Sequence, residues 1–273
     1  MLDKIRRHLQ FGRDCARFGD GPLASALLFV VAVAMPIKAR VPGLRDVAVP
    51  LRISFAGRRL RLYLATAGDL SVFNEVFVDD GYGEPRLAAP ATILDLGANI
   101  GLATLSFAAR YPDAHIYCLE PDPRAFAALQ RNIADLPHVT AHQMAAAGAD
   151  GPITFNLAPL TFGSAIASGD GGDQGVTVEG RTLDGLLDTF GIARLALLKL
   201  DIEGAEDQVL RAATSLERID AIVGEIHVGL MGTTVEGTVA LLDGFKVDVD
   251  HHGSAATFER YTFVARAHHA DAA

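Results

Sequence analysis

Cysteine is scarce in this chain: among 273 residues there are only Cys15 and Cys118. Two lone cysteines without ligand spacing supply neither a disulfide framework nor a thiolate metal centre. Cys118 falls inside an apolar strand pattern and reads as a small buried hydrophobe, a usage that suits a reducing cytoplasm. Basic charge is outnumbered, with 24 Lys and Arg against 33 Asp and Glu, a net charge of -9. That balance argues against nucleic acid as a partner. The small basic cluster Arg58, Arg59 and Arg61 reads as the solvated face of a hairpin. No apolar run reaches the ~20 residues that a membrane-spanning helix needs. The stretch Leu23 to Met35 comes nearest and closes at Pro36. Its leader mixes Lys4, Arg6 and Arg7 with Asp3, Asp14 and Asp20, unlike the short basic leader of a secretion signal. The primary reading is a helix buried in the protein or at an interface between copies of the chain. A peripheral membrane contact is secondary, because the flanks are not strongly basic. Internal repeats are absent as well.

What is present is apolar substance and a strand–helix rhythm. Half of the residues are hydrophobic, enough for a large core, and the length fits one domain with an N-terminal extension. Residues 1–68 read as that extension: an amphipathic helix over Leu2–Phe18, the apolar helix, and a hairpin over Leu51–Leu64 turning at Ala56-Gly57. Ser71 to Val78 has a helical pattern. Residues 69–266 read as the main domain and 267–273 as a frayed tail. From Ala91 strands alternate with helices, which predicts a doubly wound, mostly parallel α/β sheet. The predicted strands are Thr92–Leu96, His115–Leu119, Val139–Met144, Ala196–Leu200 and Ala221–Ile226, with Phe245–Asp250 and Tyr261–Ala265 closing the sheet. The predicted helices are Ile100–Ala109, Pro123–Ala134, Thr182–Phe190, Ala205–Ala213 and Thr234–Leu242. Leu157 to Gly175, rich in Gly, Ser and Asp, reads as a long loop over the carboxyl edge of the sheet. Such a loop could serve as a substrate lid, with Ser164 as a contact.

The segment Thr92–Gly101 is T-I-L-D-L-G-A-N-I-G. A buried strand ends in an acid, a glycine turn follows, and a helix begins, where free N–H groups and a positive dipole end can meet a ligand. A dinucleotide turn would be G-x-G-x-x-G. Here Asp95 precedes Gly97, Ala98, Asn99 and Gly101, a form that fits an S-adenosylmethionine-binding turn better than a pyrophosphate turn. Glu120, followed by Pro121, ends the next strand some twenty residues later, where an acid accepts hydrogen bonds from ribose hydroxyls. The plain alternative for Glu120 is a helix cap. Two further acid-bearing strands end at the same edge. Leu197–Glu206 is L-L-K-L-D-I-E-G-A-E, placing Asp201 and Glu203 there; Asp201 could bind the methionine ammonium, orient an acceptor, ligate a metal or act as a base. Capping of the following helix would explain Asp201, Glu203 and Glu206 equally simply. Lys199, inside the strand, either pairs with one of these acids or reaches outward from an edge strand. Ala221–His227 is A-I-V-G-E-I-H and carries Glu225 and His227, a familiar acid–base pairing that could also be a satisfied structural pair. Asp201 and Glu225 could hold Mg²⁺, though they require no ion. Thr182 and Asp184 read as helix-capping residues.

Together, D-L-G-A-N-I-G at Asp95–Gly101, E-P-D at Glu120–Asp122, T-L-D at Thr182–Asp184, K-L-D-I-E-G-A-E at Lys199–Glu206 and E-I-H at Glu225–His227 resemble the FkbM-type methyltransferases. N-E-V-F at Asn74–Phe77, with Tyr82, also looks like that family. The resemblance spans roughly residues 69–227. It implies a class I, Rossmann-like methyltransferase fold using S-adenosylmethionine, methylating a hydroxyl on a sugar or secondary metabolite. By that resemblance Asp95, Gly97, Asn99 and Gly101 line the methionine half, Glu120 holds the ribose, and Ala145 or Ala146 flanks the adenine. Asp201 faces the sulfonium and the acceptor, Glu203 and His227 are catalytic candidates, and Glu75 and Glu225 are substrate contacts. A nicotinamide-dependent oxidoreductase is disfavoured by the missing glycine, and a non-catalytic binding module by the retained acids.

Overall fold

The computed structural model describes residues 2–83, 85, 87, 91–157, 165–166, 175–228, 233–254 and 259–268. The chain opens with two helices, α1 (Leu2–Ala16) and α2 (Pro22–Lys38), and an antiparallel hairpin, β1 (Val49–Phe55) with β2 (Arg58–Leu64). Next come α3 (Ala67–Phe73), a π-helical turn over Asn74–Val78, β3 (Thr92–Leu96), α4 (Leu102–Arg110), β4 (His115–Leu119), α5 (Pro123–Ile133) and β5 (Val139–His142). After β6 (Ala145–Ala146), β7 (Gly151–Asn156), β8 (Ala165–Ile166) and β9 (Gly175–Arg181) the alternation resumes. The remaining elements are α6 (Leu183–Thr189), β10 (Leu197–Leu200), α7 (Glu206–Ala212), β11 (Ala221–Val228), α8 (Val235–Ala240), β12 (Phe245–Ser254) and β13 (Glu259–Ala267).

The main sheet runs β12-β13-β11-β10-β3-β4-β5. Its pairings from β11 through β5 are parallel, and β13 runs antiparallel to both β11 and β12. The central strands are buried on both faces, Leu197–Leu200 along their whole length, so they read as continuous apolar runs. The order reverses direction at β3, which lies between β10 and β4. In open α/β sheets the crevice beyond the carboxyl ends at such a switch is where ligands bind. The helices that return the chain are started by their own side chains: Asp122 accepts from the Arg124 N–H above Pro123, and Thr182 and Thr234 accept from Gly185 and Gly237.

The structure departs from the sequence reading in two places. β7, β8 and β9 join β6 in a separate four-stranded sheet, order β6-β9-β7-β8, which the sequence reading did not foresee; of the loop read over Leu157–Gly175, only Leu157, Ala165–Ile166 and Gly175 are described, with Ala165–Ile166 forming β8 and Gly175 opening β9. The lid contact assigned to Ser164 lies outside the described residues. Helix α2 continues through Pro36 to Lys38. Proline forfeits one intrahelical bond, but the Ala39 N–H still bonds Met35 O, and Lys38 Nζ anchors the end on Arg45 O and Ala65 O at 2.8 and 2.5 Å. The apolar helix, read as buried in the protein or at an interface between copies of the chain, is buried on one face. Leu28, Val31, Ala32 and Met35 are buried, whereas Leu23, Leu27, Val30 and Ile37 are exposed. No helix among the described residues is long and apolar enough to cross a membrane.

The N-terminal elements share a core with the sheet. Cys15, Leu28, Met35, Leu51, Ile53 and Phe73 belong to one buried cluster with Ile93, Phe107, Ile116 and Val223. The Tyr63 N–H donates to Asn132 Oδ1 on α5 at 2.8 Å. The helices and hairpin therefore pack as one body with the sheet, and α1 reaches the crevice through Phe11.

Candidate active site

The site begins with a lysine where the sequence pattern would place a hydrophobe. Lys199 stands opposite Asp95 in the register of β10 and β3 and is 1% exposed. Its ammonium lies 3.3 Å from Asp95 Oδ1 and 3.5 Å from Asp201 Oδ2, and donates to Gly97 O at 2.7 Å. Burial works against its charge, but the two carboxylates outweigh burial and raise its pKa. Of the two readings of Lys199, pairing within the fold is what the structure shows. Asp95 is fully buried, and its other oxygen accepts from Thr104 Oγ1 at 2.6 Å. Asp95, Lys199 and Asp201 thus tie the glycine turn after β3 to the turn after β10.

Gly97 makes that tie possible. Its φ of +78° is in the left-handed region, and a Cβ there would stand 1.9 Å from the carbonyl oxygen of Asp201. Gly101 starts α4 at φ +86° against the Leu129 side chain. Both glycines are demanded by close packing of the chain on itself. Asn99 adopts φ +51°, its buried Oδ1 has no hydrogen-bond partner, and its N–H donates to Glu120 Oε2 at 2.8 Å. Glu120 also accepts from the Asp122 N–H at 2.8 Å. Burial pushes its pKa up to about 8 despite these two N–H donors. Glu120 therefore braces the glycine turn.

Asp201 ends β10 in a ring of partners. Tyr82 Oη donates to its Oδ2 at 2.7 Å, and the Tyr82 ring faces the Lys199 ammonium at 5.4 Å. Burial opposes the charge of Asp201, but Lys199 and His227 overcome it and hold the pKa below the usual carboxylate range. His227, on β11, is 2% exposed. Its Nδ1 meets Glu206 Oε1 at 2.9 Å, and its Nε2 lies 3.3 Å from Glu225, 3.6 Å from Glu203 and 3.9 Å from Asp201. Burial opposes its protonation, but the bonds to Glu206 and Glu225 carry its pKa to about 11. At neutral pH it is an imidazolium whose two N–H groups point at carboxylates, leaving no lone pair to receive a proton. Glu203 stands at φ +54°, a strained angle for a residue with a side chain. On the far side Arg260 Nη1 lies 3.4 Å from Glu75 and 3.8 Å from Glu225. Burial, with the charges of Glu225 and Asp201, raises the pKa of Glu75 to about 8.

These groups enclose a cavity of about 610 Å³, a volume suited to a cofactor-sized ligand. Of the residues singled out in the sequence, Glu75, Gly97, Ala98, Asn99, Asp201, Glu203, Glu225 and His227 line it. Asp95 stands behind Lys199, and Gly101 is packed under Leu129. Glu120 and Pro121 are buried at the end of β4. Ala145 and Ala146 are buried in β6, paired with Gly180 and Arg181 of β9. Tyr82, Arg260 and Glu206 complete the arrangement without having been assigned roles from the sequence. Glu206 had been read only as a helix-start acid, and its partner His227 is 21 positions away. Tyr82 had been noted only beside the N-E-V-F segment that resembles the family, without a role, and Arg260 sits in a segment that carries no motif signal of its own.

The methyltransferase FkbM domain matches residues 95–236, just over half of the chain. Among curated proteins, methyltransferase 1 of Beauveria bassiana is 28% identical over 66% of this chain and 82% of its own length. The AMB antimetabolite synthetase AmbE of Pseudomonas aeruginosa is 29% identical over 71% of this chain, which spans only 11% of that protein. The 2-O-methyltransferase NoeI of Sinorhizobium fredii is 27% identical over 43% of this chain and 55% of its own length.

Proposed function

We propose that this chain, which belongs to the FkbM methyltransferase family, transfers the methyl group of S-adenosylmethionine to a hydroxyl of a sugar or secondary metabolite. The observation that carries the reading is the convergence of three family-matched segments, Gly97–Asn99, Asp201–Glu203 and Glu225–His227, on one cavity at the carboxyl edge of the sheet. The residues fit the cofactor. A cavity rich in carboxylates complements a sulfonium, and the unpartnered Asn99 Oδ1 is available to an ammonium group. Asp95 acts from behind, through Lys199 and Thr104, to hold the turn. When bound, the sulfonium supplies an electrophilic methyl carbon, which forms a bond to the acceptor oxygen as its bond to sulfur breaks and sulfur becomes a neutral thioether.

The chain's own part is alignment and proton handling. Asp201, fixed by Tyr82 and Lys199 with a depressed pKa, stays ionised. It can accept a hydrogen bond from the acceptor hydroxyl, orient it for in-line attack, and take up the proton released as the bond to carbon forms. His227 we assign to positioning: it holds Glu225, Glu206 and Glu203 in place rather than serving as the base. The cluster of hydrogen-bond acceptors suits a polyhydroxylated acceptor, and the 2-O specificity in the name of one relative supports oxygen as the methylated atom. The exposed stripe Leu23, Leu27, Val30 and Ile37 on α2 supports contact between copies of the chain, which light scattering would test.

S-adenosylhomocysteine is the first probe. A ligand that binds only the folded state stabilises it by about RT ln(1 + [L]/Kd), so the melting midpoint is expected to rise with concentration. A folded protein that shows no shift at millimolar ligand would overturn the reading. Labelled methyl donor with a panel of sugars and hydroxylated metabolites then tests the acceptor class.

A further inference from the structure

We propose that Glu75, Asp201 and Glu225 form a binding site for one hard divalent cation of the Mg²⁺ or Mn²⁺ kind within the cavity. One carboxylate oxygen from each of the three lies within 4.8 Å of the other two. Oxygen ligands sit about 2.0–2.6 Å from such ions, so opposite ligands stand roughly 4–5 Å apart. The three oxygens fit one coordination sphere as they stand. They come from three separate elements: the π-helical turn over Asn74–Val78, the end of β10, and β11.

Acid clustering alone would say little. The observation that points to a ligand is Glu225. It is 2% exposed and lines the cavity; His227 and Arg260 approach its Oε2, while its Oε1 meets no N–H or hydroxyl donor, only a proton held on the neighbouring Glu75 carboxyl being able to serve it. A buried carboxylate oxygen without a partner is costly, and a cation facing Glu75 and Asp201 would remove that cost. The formal charges agree. Six carboxyl groups (Glu75, Asp95, Asp201, Glu203, Glu206 and Glu225) stand among three cationic groups (Lys199, His227 and Arg260), an excess of acid over base that a divalent ion would offset. The overlapping set Asp201, Glu206 and His227 also has suitable spacing, but it would sacrifice the 2.9 Å hydrogen bond between Glu206 and His227. An all-oxygen set selects Mg²⁺, Mn²⁺ or Ca²⁺ over softer metals.

Three protein oxygens leave coordination positions for other ligands. Resting on the methyl-transfer reading, this narrows the acceptor to one offering two adjacent oxygens, a vicinal diol or a hydroxyl beside a carboxylate, that chelate the ion next to Asp201. The cation would lower the pKa of the bound hydroxyl.

The test uses the full chain stripped with chelator and titrated with Mn²⁺, following loss of the free-ion electron paramagnetic resonance signal. One saturable site per chain, displaced by Mg²⁺, is expected. Glu75→Gln and Glu225→Gln should each weaken Mn²⁺ binding roughly tenfold or more, while Asp79→Asn, also on the cavity wall, should not. Absence of saturable binding to folded wild-type protein would overturn the site, as would binding untouched by both glutamine variants. The wild-type titration and Mg²⁺ displacement decide the matter even where a variant fails to fold. S-adenosylhomocysteine binding is measured in parallel. Cofactor binding without Mn²⁺ binding refutes the cation and spares the methyl-transfer reading; the converse refutes only the latter.

Discussion

Asp201 is where the separate threads of the site meet, because the Tyr82 hydroxyl, the Lys199 ammonium and the His227 ring all approach its two oxygens. Asp201→Asn keeps the shape and removes the charge. A carboxylate that receives the acceptor proton contributes about 10²–10⁴ in rate, so kcat should fall by that order while the Kd for S-adenosylhomocysteine changes only a few-fold. Equal losses in both, measured by turnover and calorimetry, would make Asp201 a binding group instead. Asp201 and Glu120 were legible in the sequence because each directly follows a recognisable buried strand, and strand ends converge on one edge; Glu225 was legible as part of such a strand, β11. Their partners were not. Tyr82 reaches Asp201 across 119 positions, and nothing local in G-Y-G announces such a contact. Glu120 shows the same limit. Position alone made it a ribose acceptor or a cap, whereas its two N–H partners show that it also supports the turn that carries Asn99.

Among the elements, the glycine turn between β3 and α4 does more than leave room for a ligand. Gly97→Ala would have to accommodate a Cβ 1.9 Å from the Asp201 carbonyl at a left-handed φ, pushing the two site loops apart. The expected cost is at least about 2 kcal/mol, a fall of roughly 5 °C or more in the melting midpoint. Gly57→Ala, also at positive φ but with nothing within 4 Å, should pay only the backbone strain. Comparable losses in the two variants would show that the close approach carries no energy. Parallel strands and their capped helices were readable from apolar runs and cap residues. The small sheet of β6–β9 was not, because G-P-I-T-F-N and G-V-T-V-E-G-R are short, flanked by glycine, and paired with each other across a long intervening segment. Pro36 misled for a related reason: a proline ends most helices, but here tertiary anchoring of Lys38 carries α2 past it.

For the molecule as a whole, the buried ionisable groups set the pH response. Glu75 and Glu120 both have pKa values near 8 in the folded chain, against about 4.3 unfolded, and His227 has one near 11 against about 6.5. All three hold their protons more tightly when folded, so their stabilisation is complete below the unfolded values. It is lost as pH rises through about 8 for the glutamates and about 11 for the histidine. Asp201 works in the opposite direction and matters only in acid. The melting midpoint should therefore decline steadily from about pH 5 to pH 9, and Glu120→Gln should flatten that slope. A midpoint flat across this range in differential scanning fluorimetry would contradict the buried, protonated state of these carboxyls. The cavity has one more consequence for the whole chain. Phe11 of α1 and Arg260 of β13 both line it, so its walls are drawn from segments made far apart in time on the ribosome. A nascent chain can close the glycine turn early, but the full lining of the cavity assembles only after β13 has emerged and α1 has docked. The complete site therefore forms late in synthesis.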